Sequence, residues 1–283
     1  MSAPSDRTPP RHSDAIRQRL LAQLDVGDLQ IRRHLQLMAN VVVAQMLPGG
    51  VVKGGTSLSV RLGNRASRSS ADLDVTREPT VSEDEYFERL QIELTRGWHG
   101  FHGRAIRLKR ASPAHVPFDY RVLPIKVVLT YQSSEFQNVI LELVRDEVGS
   151  TLAPSVQIAN EVCELFEIVG LERPRPIALI SIEHQIVQKL HACTTPHIDG
   201  TNDRAHDIVD IQLLAADTTI DFTQIDEIGR RLFTLRGQGM WPPTVQIFAS
   251  WPQLYDNAAR GLPVRPLSEA IDWLNGLLRQ VTT

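Results

Sequence analysis

Apolar residues recur at helical spacing through the first fifty residues of the chain. In residues 13–24 they are spaced three and four apart, which predicts an amphipathic helix with Ser13 available as its N-cap. A second helical pattern covers residues 28–47 and stops at Pro48, which two glycines follow. The chain therefore begins with two helices and a tight turn.

The pattern then changes to short elements around a pair of glycines. Residues 51–53 predict a short strand, Gly54-Gly55 a turn, residues 56–62 a short helix, and residues 71–76 (ADLDVT) a second strand by their alternation. Ser82 starts a capping-box pattern that predicts a helix through about residue 96. Strand, glycine turn, helix and strand thus follow one another closely.

The rest of the chain separates into a strand-rich part and a helix-rich part. Strand-like runs cover residues 104–110, 122–131 and 138–144, and they complete a mixed sheet. From about residue 155 helical patterns dominate, over residues 180–193, 203–216, 222–235, a region after Pro242-Pro243, and 267–281.

These patterns predict an α+β fold with a mixed β-sheet and helices, followed by an all-helical C-terminal half. The predicted organisation is a disordered lead-in over residues 1–12, a sheet domain over 13–155 and a helical domain over 156–283.

Composition narrows the class of protein. The chain has 283 residues, of which 42% are hydrophobic, enough for a substantial core and too many for a disordered protein. The two cysteines, Cys163 and Cys193, form neither a disulfide pattern nor a zinc spacing, which favours a reducing cytoplasm. With neither an apolar leader nor a window of membrane-span length, we expect no membrane partner.

Asp72 and Asp74 are the strongest candidates for metal chemistry. Residues two apart on a strand project to the same side, so the two carboxylates should share one pocket while Leu73 faces the core. Neighbouring carboxylates repel unless a hard divalent cation binds between them, and magnesium is the natural candidate. Two such ions can stabilise an in-line phosphoryl displacement.

The Lys53-Gly54-Gly55-Thr56 segment is a candidate phosphate site. Glycines before a helix allow a phosphate to approach the bare backbone amides, and Thr56 and Ser57 add hydroxyl donors. A glycine pair alone is usually only a turn, and a lone Asp-x-Asp is usually a surface loop. Their combination at this spacing is much more specific for nucleotide chemistry.

Together the motifs resemble those of a known family. The opening motif of the nucleotidyltransferase superfamily, as carried by the AbiEii toxins and their mycobacterial MenT relatives, is similar to VVKGGTSLSVRL and RSSADLDVT here. The family's helix with an essential lysine resembles SIEHQIVQKLHAC, and its Arg-x-x-Asp-x-x-Asp helix resembles DRAHDIVDIQLL. The resemblance covers about residues 35–215, and beyond that only the helical texture matches.

The resemblance implies roles for individual residues. Triphosphate contacts fall on Lys53, Gly54, Gly55, Thr56 and Arg204, and metal ligands on Asp72, Asp74 and Glu142. Glu142 stands where the superfamily usually has an aspartate on a later strand. Lys189 would meet the nucleotide phosphates, and either Asp207 or Asp210 would complete the active site, with no signal in the sequence to choose between them.

The resemblance also implies a function for the chain. Toxins of this family transfer NMP from an NTP to the 3′ acceptor end of tRNA with two magnesium ions. The transfer blocks aminoacylation and translation, and a cognate antitoxin protein would silence the enzyme. A cleft between the two halves, walled with arginines, would admit the RNA end. The candidate arginines are Arg61, Arg65, Arg68, Arg173 and Arg204. Ser69 and Ser70, beside the metal site, are candidates for control by phosphorylation.

Two alternatives stay open at this point. A kinase-like phosphotransferase could use the same metal and phosphate groups, and a non-catalytic regulator could bind an NTP without turning it over. A labelled NTP distinguishes the kinase, because nucleotidyl transfer retains the α-phosphate label and kinase action retains the γ-label. Asp72→Ala distinguishes the regulator, because it should abolish toxicity only if the protein is catalytic.

Overall fold

The structure is a computed structural model that describes residues 8–63, 70–110, 121–237 and 239–281. Within these ranges the chain forms two compact units. The first comprises the residues up to 179 except 147–150, and the second comprises 147–150 and the residues from 180 onward. Arg65, Arg68 and Ser69 lie outside the described residues, as do residues 1–7 of the predicted lead-in.

One mixed sheet forms the centre of the first unit. Its strands in the described ranges are β1 (Val51–Lys53), β2 (Leu73–Arg77), β3 (Phe101–Arg107), β4 (Leu123–Tyr131), β5 (Ser134–Arg145), β6 (Ser155–Gln157) and β7 (Ile177–Leu179). They are ordered β3-β4-β5-β2-β1-β7-β6. β2 pairs parallel with β5 and antiparallel with β1, and β1 pairs parallel with β7. The two strands that flank the glycine motif are therefore neighbours near the middle of the sheet.

Helices cover the sheet and supply a large part of its core. In the first unit the described helices are α1 (Ser13–Gln23), α2 (Asp28–Gln45), α3 (Gly54–Leu62), α4 (Glu83–Arg96) and α5 (Asn160–Glu167). α2 contacts β4, β5, α3 and α5, and its residues from Leu37 to Val43 are all buried. Along β4 alternate side chains are buried, which is the period expected when one sheet face packs on helices.

The described part of the second unit contains only helices as regular elements. They are α6 (Ile182–Thr194), α7 (Ala205–Asp217), α8 (Phe222–Arg236), α9 (Trp251–Ala259) and α10 (Leu267–Val281). α6 packs against α7 and α8, and α7 packs against α9. None of the helices in the described ranges combines the length and the apolarity that crossing a bilayer requires.

The predicted α+β class is confirmed, and the predicted helices are present with ends shifted by a few residues. The main difference lies between residues 155 and 179, where the structure has β6, α5 and β7 in the segment assigned to the helical half. β6 and β7 have three residues each, too few to show an alternation, and no neighbouring motif marks them as the Gly54-Gly55 turn marks β1. The domain boundary near residue 155 stays a prediction, and the first compact unit continues to Leu179.

Two hydrogen bonds join Pro10 and Ser13 to the sheet of the first unit. Pro10 is buried, and its carbonyl accepts a hydrogen bond from the Tyr131 hydroxyl at 2.9 Å. The backbone N–H of Ser13 also donates to the Ser134 hydroxyl at 3.0 Å. Pro10 and Ser13 thus contact the sheet unit, and the predicted disorder of residues 1–12 stays a prediction.

Candidate active site

The glycine pair forms the first turn of α3. The sequence predicts a turn before the helix, whereas α3 begins at Gly54 itself, directly after β1. Gly54 has φ +64°, which lets the chain turn from strand to helix within one residue. Lys53 is the N-cap residue, and no side chain caps the helix. The positive end of α3 therefore begins at the end of β1, a suitable place for an anion.

Gly54 also lies against the carboxylate of Asp74. The register of β1 and β2 places Lys53 opposite Asp74. A Cβ atom at Gly54 would lie 1.9 Å from the Asp74 Oδ2 atom, far inside contact distance. Only glycine lets this carboxylate approach so close to the start of α3.

Asp72 and Asp74 occupy one side of this region. Both are partly exposed, whereas Leu73 between them is completely buried. The pKa of Asp72 is raised above its usual value, first by burial and then by the negative charge of Asp74. The two carboxylates therefore interact electrostatically and are reachable by solvent, and their role in metal binding stays a prediction.

Glu142 joins the two aspartates. It lies on β5 directly opposite Asp74 on β2. Burial raises the pKa of Glu142 most, followed by the charges of Asp74 and Asp72 and by a hydrogen bond with Asp74, while Lys53 lowers it. We call Asp72, Asp74 and Glu142 the acidic cluster. Glu142 lies beside the two aspartates only because β2 pairs with β5, and the sequence alone does not determine that pairing.

The acidic cluster fits magnesium in part. In the described ranges no three Asp, Glu, His or Cys side chains are arranged so that they could hold a metal ion. Magnesium in nucleotide enzymes is usually held by one or two carboxylates, with waters and substrate phosphates as the other ligands. Asp72 and Asp74, next to the N-terminal end of α3, match that requirement. The role of Glu142 as a third ligand stays a prediction.

The hydroxyl groups of Thr56 and Ser57 face inward, in contrast to their predicted contact with a phosphate. Thr56 is 1% exposed, and its hydroxyl donates to the carbonyl of Asp72 at 2.7 Å. The Ser57 hydroxyl donates to the carbonyl of Gly54 at 2.9 Å. Both hydroxyls are committed to the protein, which leaves backbone N–H groups as the phosphate donors of this segment.

The second unit contains a buried ion cluster that involves three other predicted site residues. The Lys189 Nζ atom on α6 donates to Asp207 Oδ1 at 2.8 Å and to Asp210 Oδ2 at 2.6 Å, both on α7. The three side chains are 9%, 5% and 0% exposed. Arg204, the N-cap residue of α7, lies 3.7 Å from Asp207 and is half exposed. Lys189 contacts both aspartates, so the geometry does not single out one of them.

The predicted RNA-binding arginines have different environments. Arg61 is buried, and its Nη1 atom donates to the Ser155 hydroxyl at 3.3 Å, so its place on an RNA-facing wall stays a prediction. Arg173 pairs with Glu167 at 2.6 Å on the surface. The spacing of charges in a sequence does not distinguish such buried or paired arginines from exposed ones.

Comparisons with known proteins identify the family of the chain and relate its fold to solved structures. A family model described as the nucleotidyl transferase AbiEii toxin of type IV toxin–antitoxin systems matches residues 36–274. The nucleotidyltransferase toxin MenT4 of Mycobacterium tuberculosis H37Rv aligns with a TM-score of 0.51 at 16% identity, over 95% of this chain and 97% of that one. At this identity the likeness concerns the fold alone.

A crystal structure of a protein described as a nucleotidyltransferase from H. pylori aligns with a TM-score of 0.45 at 18% identity, over 90% of this chain and 96% of that one. No curated protein matches the chain in sequence.

Proposed function

Because the chain belongs to the AbiEii family of nucleotidyl transferase toxins of type IV toxin–antitoxin systems, we propose that it transfers NMP from an NTP to the 3′ acceptor end of tRNA. A blocked acceptor end cannot be aminoacylated, so translation stops. The observation that carries this proposal is the contact of Gly54 with Asp74, which brings a carboxylate to the N-terminal end of α3.

In the first unit, positively charged groups would bind the phosphates and negatively charged groups would bind the metal ions. The amides at the start of α3 and the cation of Lys53 would attract the triphosphate. Asp72 and Asp74, with Glu142 next to them, would hold two Mg²⁺ ions. When bound, these ions neutralise charge on the phosphates and lower the pKa of an attacking hydroxyl.

The reaction conserves atoms and charge in a single displacement. The 3′ oxygen of the RNA forms a bond to the α-phosphorus, and the bond from that phosphorus to the bridging oxygen of the β-phosphate breaks. Pyrophosphate leaves, and the hydroxyl proton passes to a carboxylate of the acidic cluster or to water. Lys189, Arg204, Asp207 and Asp210 of the second unit are proposed to be required as well, with Lys189 meeting nucleotide phosphates.

An antitoxin is the proposed protein partner, and Ser70 is a proposed point of control. The Ser70 hydroxyl donates to the carbonyl of Asp72 at 3.3 Å. A phosphate on this oxygen would remove that hydrogen bond and add negative charge beside the acidic cluster, which would repel an incoming NTP.

Labelled nucleotides test the proposed reaction. Purified protein is incubated with total tRNA, Mg²⁺ and each NTP in turn, labelled at the α- or γ-phosphate, with Asp72→Ala as the inactive control. The proposal expects α-label in tRNA from wild-type protein alone. Retained γ-label would favour the kinase alternative, and NTP binding without any label transfer would favour the non-catalytic regulator.

A further inference from the structure

Asp72 lies just outside the sheet that should hold it in place. β2 begins at Leu73, whose partner in the parallel register is Leu141, and the antiparallel register with β1 ends at Asp74. The residue before a strand gains no positional support from the ladder. A carboxylate that must meet a metal ion within a few tenths of an ångström therefore needs another support.

Two hydroxyl groups supply that support at the Asp72 carbonyl. The Thr56 Oγ1 atom donates at 2.7 Å and the Ser70 Oγ atom at 3.3 Å. The Thr56 bond is the shorter one and comes from a residue that is 1% exposed. Thr56 belongs to α3, so this bond couples the helix that begins at Gly54 to the backbone of the first metal-site aspartate.

Asn40 on α2 sets the direction of the Thr56 hydroxyl. Its Nδ2 atom donates to Thr56 Oγ1 at 3.0 Å, and its Oδ1 atom accepts from Gln36 Nε2 at 3.1 Å. A hydroxyl has a single proton, so Thr56 accepts from Asn40 and directs its own proton to Asp72. Asn40 is completely buried, and a buried chain of hydrogen bonds without competing water is strongly directional.

We propose that Asn40 is a positioning residue of the acidic cluster, which acts through the Thr56 hydroxyl on the backbone of Asp72. The inference rests on the proposed function, since it takes Asp72 as a metal ligand. Asn40 lies sixteen residues before Thr56 in a helix that carries no part of the glycine and Asp-x-Asp motifs. The buried relay gives α2 a role in metal binding in addition to its packing.

Four substitutions distinguish an effect on the position of Asp72 from an effect on the packing of α2 and α3. Thr56→Val keeps the side-chain shape but removes the hydroxyl, and Thr56→Ser restores it. Asn40→Leu removes the donor to Thr56. Ser59→Ala is the matched control, because Ser59 is a buried hydroxyl on the same helix that donates to Gly55 rather than to Asp72.

Mn²⁺ binding, measured by the electron paramagnetic resonance signal of the free ion, is the main readout, and urea unfolding checks that each variant is folded. Loss of a residue that orients a metal ligand typically weakens metal binding by about 10- to 100-fold. We expect such a loss in Thr56→Val and Asn40→Leu, near wild-type binding in Thr56→Ser and Ser59→Ala, and a matching rise in the Mg²⁺ concentration needed for nucleotidyl transfer.

Each outcome decides the inference. If folded Asn40→Leu or folded Thr56→Val binds Mn²⁺ as wild type does, Asn40 has no positioning role, and the Thr56→Val result holds even if Asn40→Leu fails to fold. If Ser59→Ala weakens binding as much as Thr56→Val, the effect is only packing, which also overturns the inference. If wild-type protein binds no Mn²⁺, or Asp74→Asn binds it equally well, the metal site of the proposed function fails first.

Discussion

At the scale of single residues, Gly54 is the position where the candidate site leaves no room for a side chain. In Gly54→Ala the new Cβ would meet Asp74 Oδ2 at 1.9 Å in a backbone conformation that L-residues rarely adopt. Either the Asp74 carboxylate or the first turn of α3 must move. A displacement of about 1 Å in a reacting group can lower the rate on the order of 100-fold. We expect a loss of that size in kcat/KM for nucleotidyl transfer.

Gly200→Ala is the matched control for backbone strain. Gly200 has a similar φ of +78°, but a Cβ there would meet nothing within 4 Å. Both variants should lose roughly 1 kcal/mol of unfolding free energy from the positive φ, whereas only Gly54→Ala should lose activity. Equal activity in the two variants would show that Asp74 does not need its position against α3.

At this scale the sequence identifies the site only in part. The Gly54-Gly55 pair and the aspartates at 72 and 74 are visible because their chemistry depends on residues close together in the chain. The inward-facing hydroxyl of Thr56 and the contribution of Asn40 are not visible. Both depend on how α2 packs against α3, and an asparagine within a helical pattern carries no signal of a buried relay.

At the scale of elements, the ion cluster of Lys189, Asp207 and Asp210 joins α6 to α7. Lys189→Met would remove the cation that the two buried carboxylates share, and the loss of one partner from a buried ion pair typically costs about 3–5 kcal/mol. We expect Lys189→Met to lower the unfolding free energy by an amount in this range, measured by urea denaturation. Lost activity in this variant would then reflect unfolding as well as chemistry.

Lys189→Arg separates the two effects. An arginine keeps the positive charge between α6 and α7 but presents a planar group in place of an ammonium. It should retain most of the stability that Lys189→Met loses, so its activity reports on the chemical role of the lysine. If Lys189→Met unfolds at the wild-type urea concentration, the cluster does not stabilise the helix pair.

The contact between α6 and α8 predicts a pH dependence. Burial lowers the pKa of His191 to about 4, helped by Arg236, while Glu147 opposes the shift. Arg236 Nη1 lies 3.1 Å from the His191 ring, and its Nε and Nη2 atoms donate to the Glu147 carboxylate. His191 is therefore neutral in the folded protein at pH values where the unfolded chain is already protonated.

The direction of the change in stability with pH follows from the number of protons that each state binds. Between the unfolded pKa of 6.5 and the folded value of about 4 the unfolded state binds the extra proton, so stability falls as the pH drops through this window. At pH 5 the loss relative to pH 7 should be on the order of 2 kcal/mol. His191→Gln should lose less over the same interval in urea unfolding. If the unfolding free energies of wild type and His191→Gln fall equally between pH 7 and pH 5, His191 is not the group responsible.

The elements themselves are predicted unevenly. α4 and α10 follow from a capping serine or a strong apolar period over fourteen and fifteen residues. β6 and β7 have three residues each; β7 pairs with β1, far away in the chain, and β6 is the edge strand beside β7. Long elements contain their own repeated signal, whereas short strands such as β6 and β7 are defined by tertiary pairing that a local pattern does not contain.

At the scale of the whole molecule, the acidic cluster should reduce the stability of the metal-free protein. The pKa values of Asp72 and Glu142 are both raised, by burial first and by neighbouring carboxylates next. Their charged forms are thus disfavoured by the fold. A bound cation would reverse this penalty, because a ligand that binds only the folded state stabilises it by mass action.

Asp74→Asn should therefore change global stability in opposite directions with and without metal. In metal-free buffer the variant loses one of three clustered charges, and we expect it to unfold at a urea concentration equal to or above that of wild type. At Mg²⁺ and NTP concentrations near 100 times Kd, wild type should gain about 2.7 kcal/mol and the variant much less. Glu88→Gln, which removes an exposed charge from α4, should follow wild type in both buffers. An Asp74→Asn protein that is less stable without metal, yet gains as much from Mg²⁺ and NTP as wild type, would contradict a metal role for Asp74.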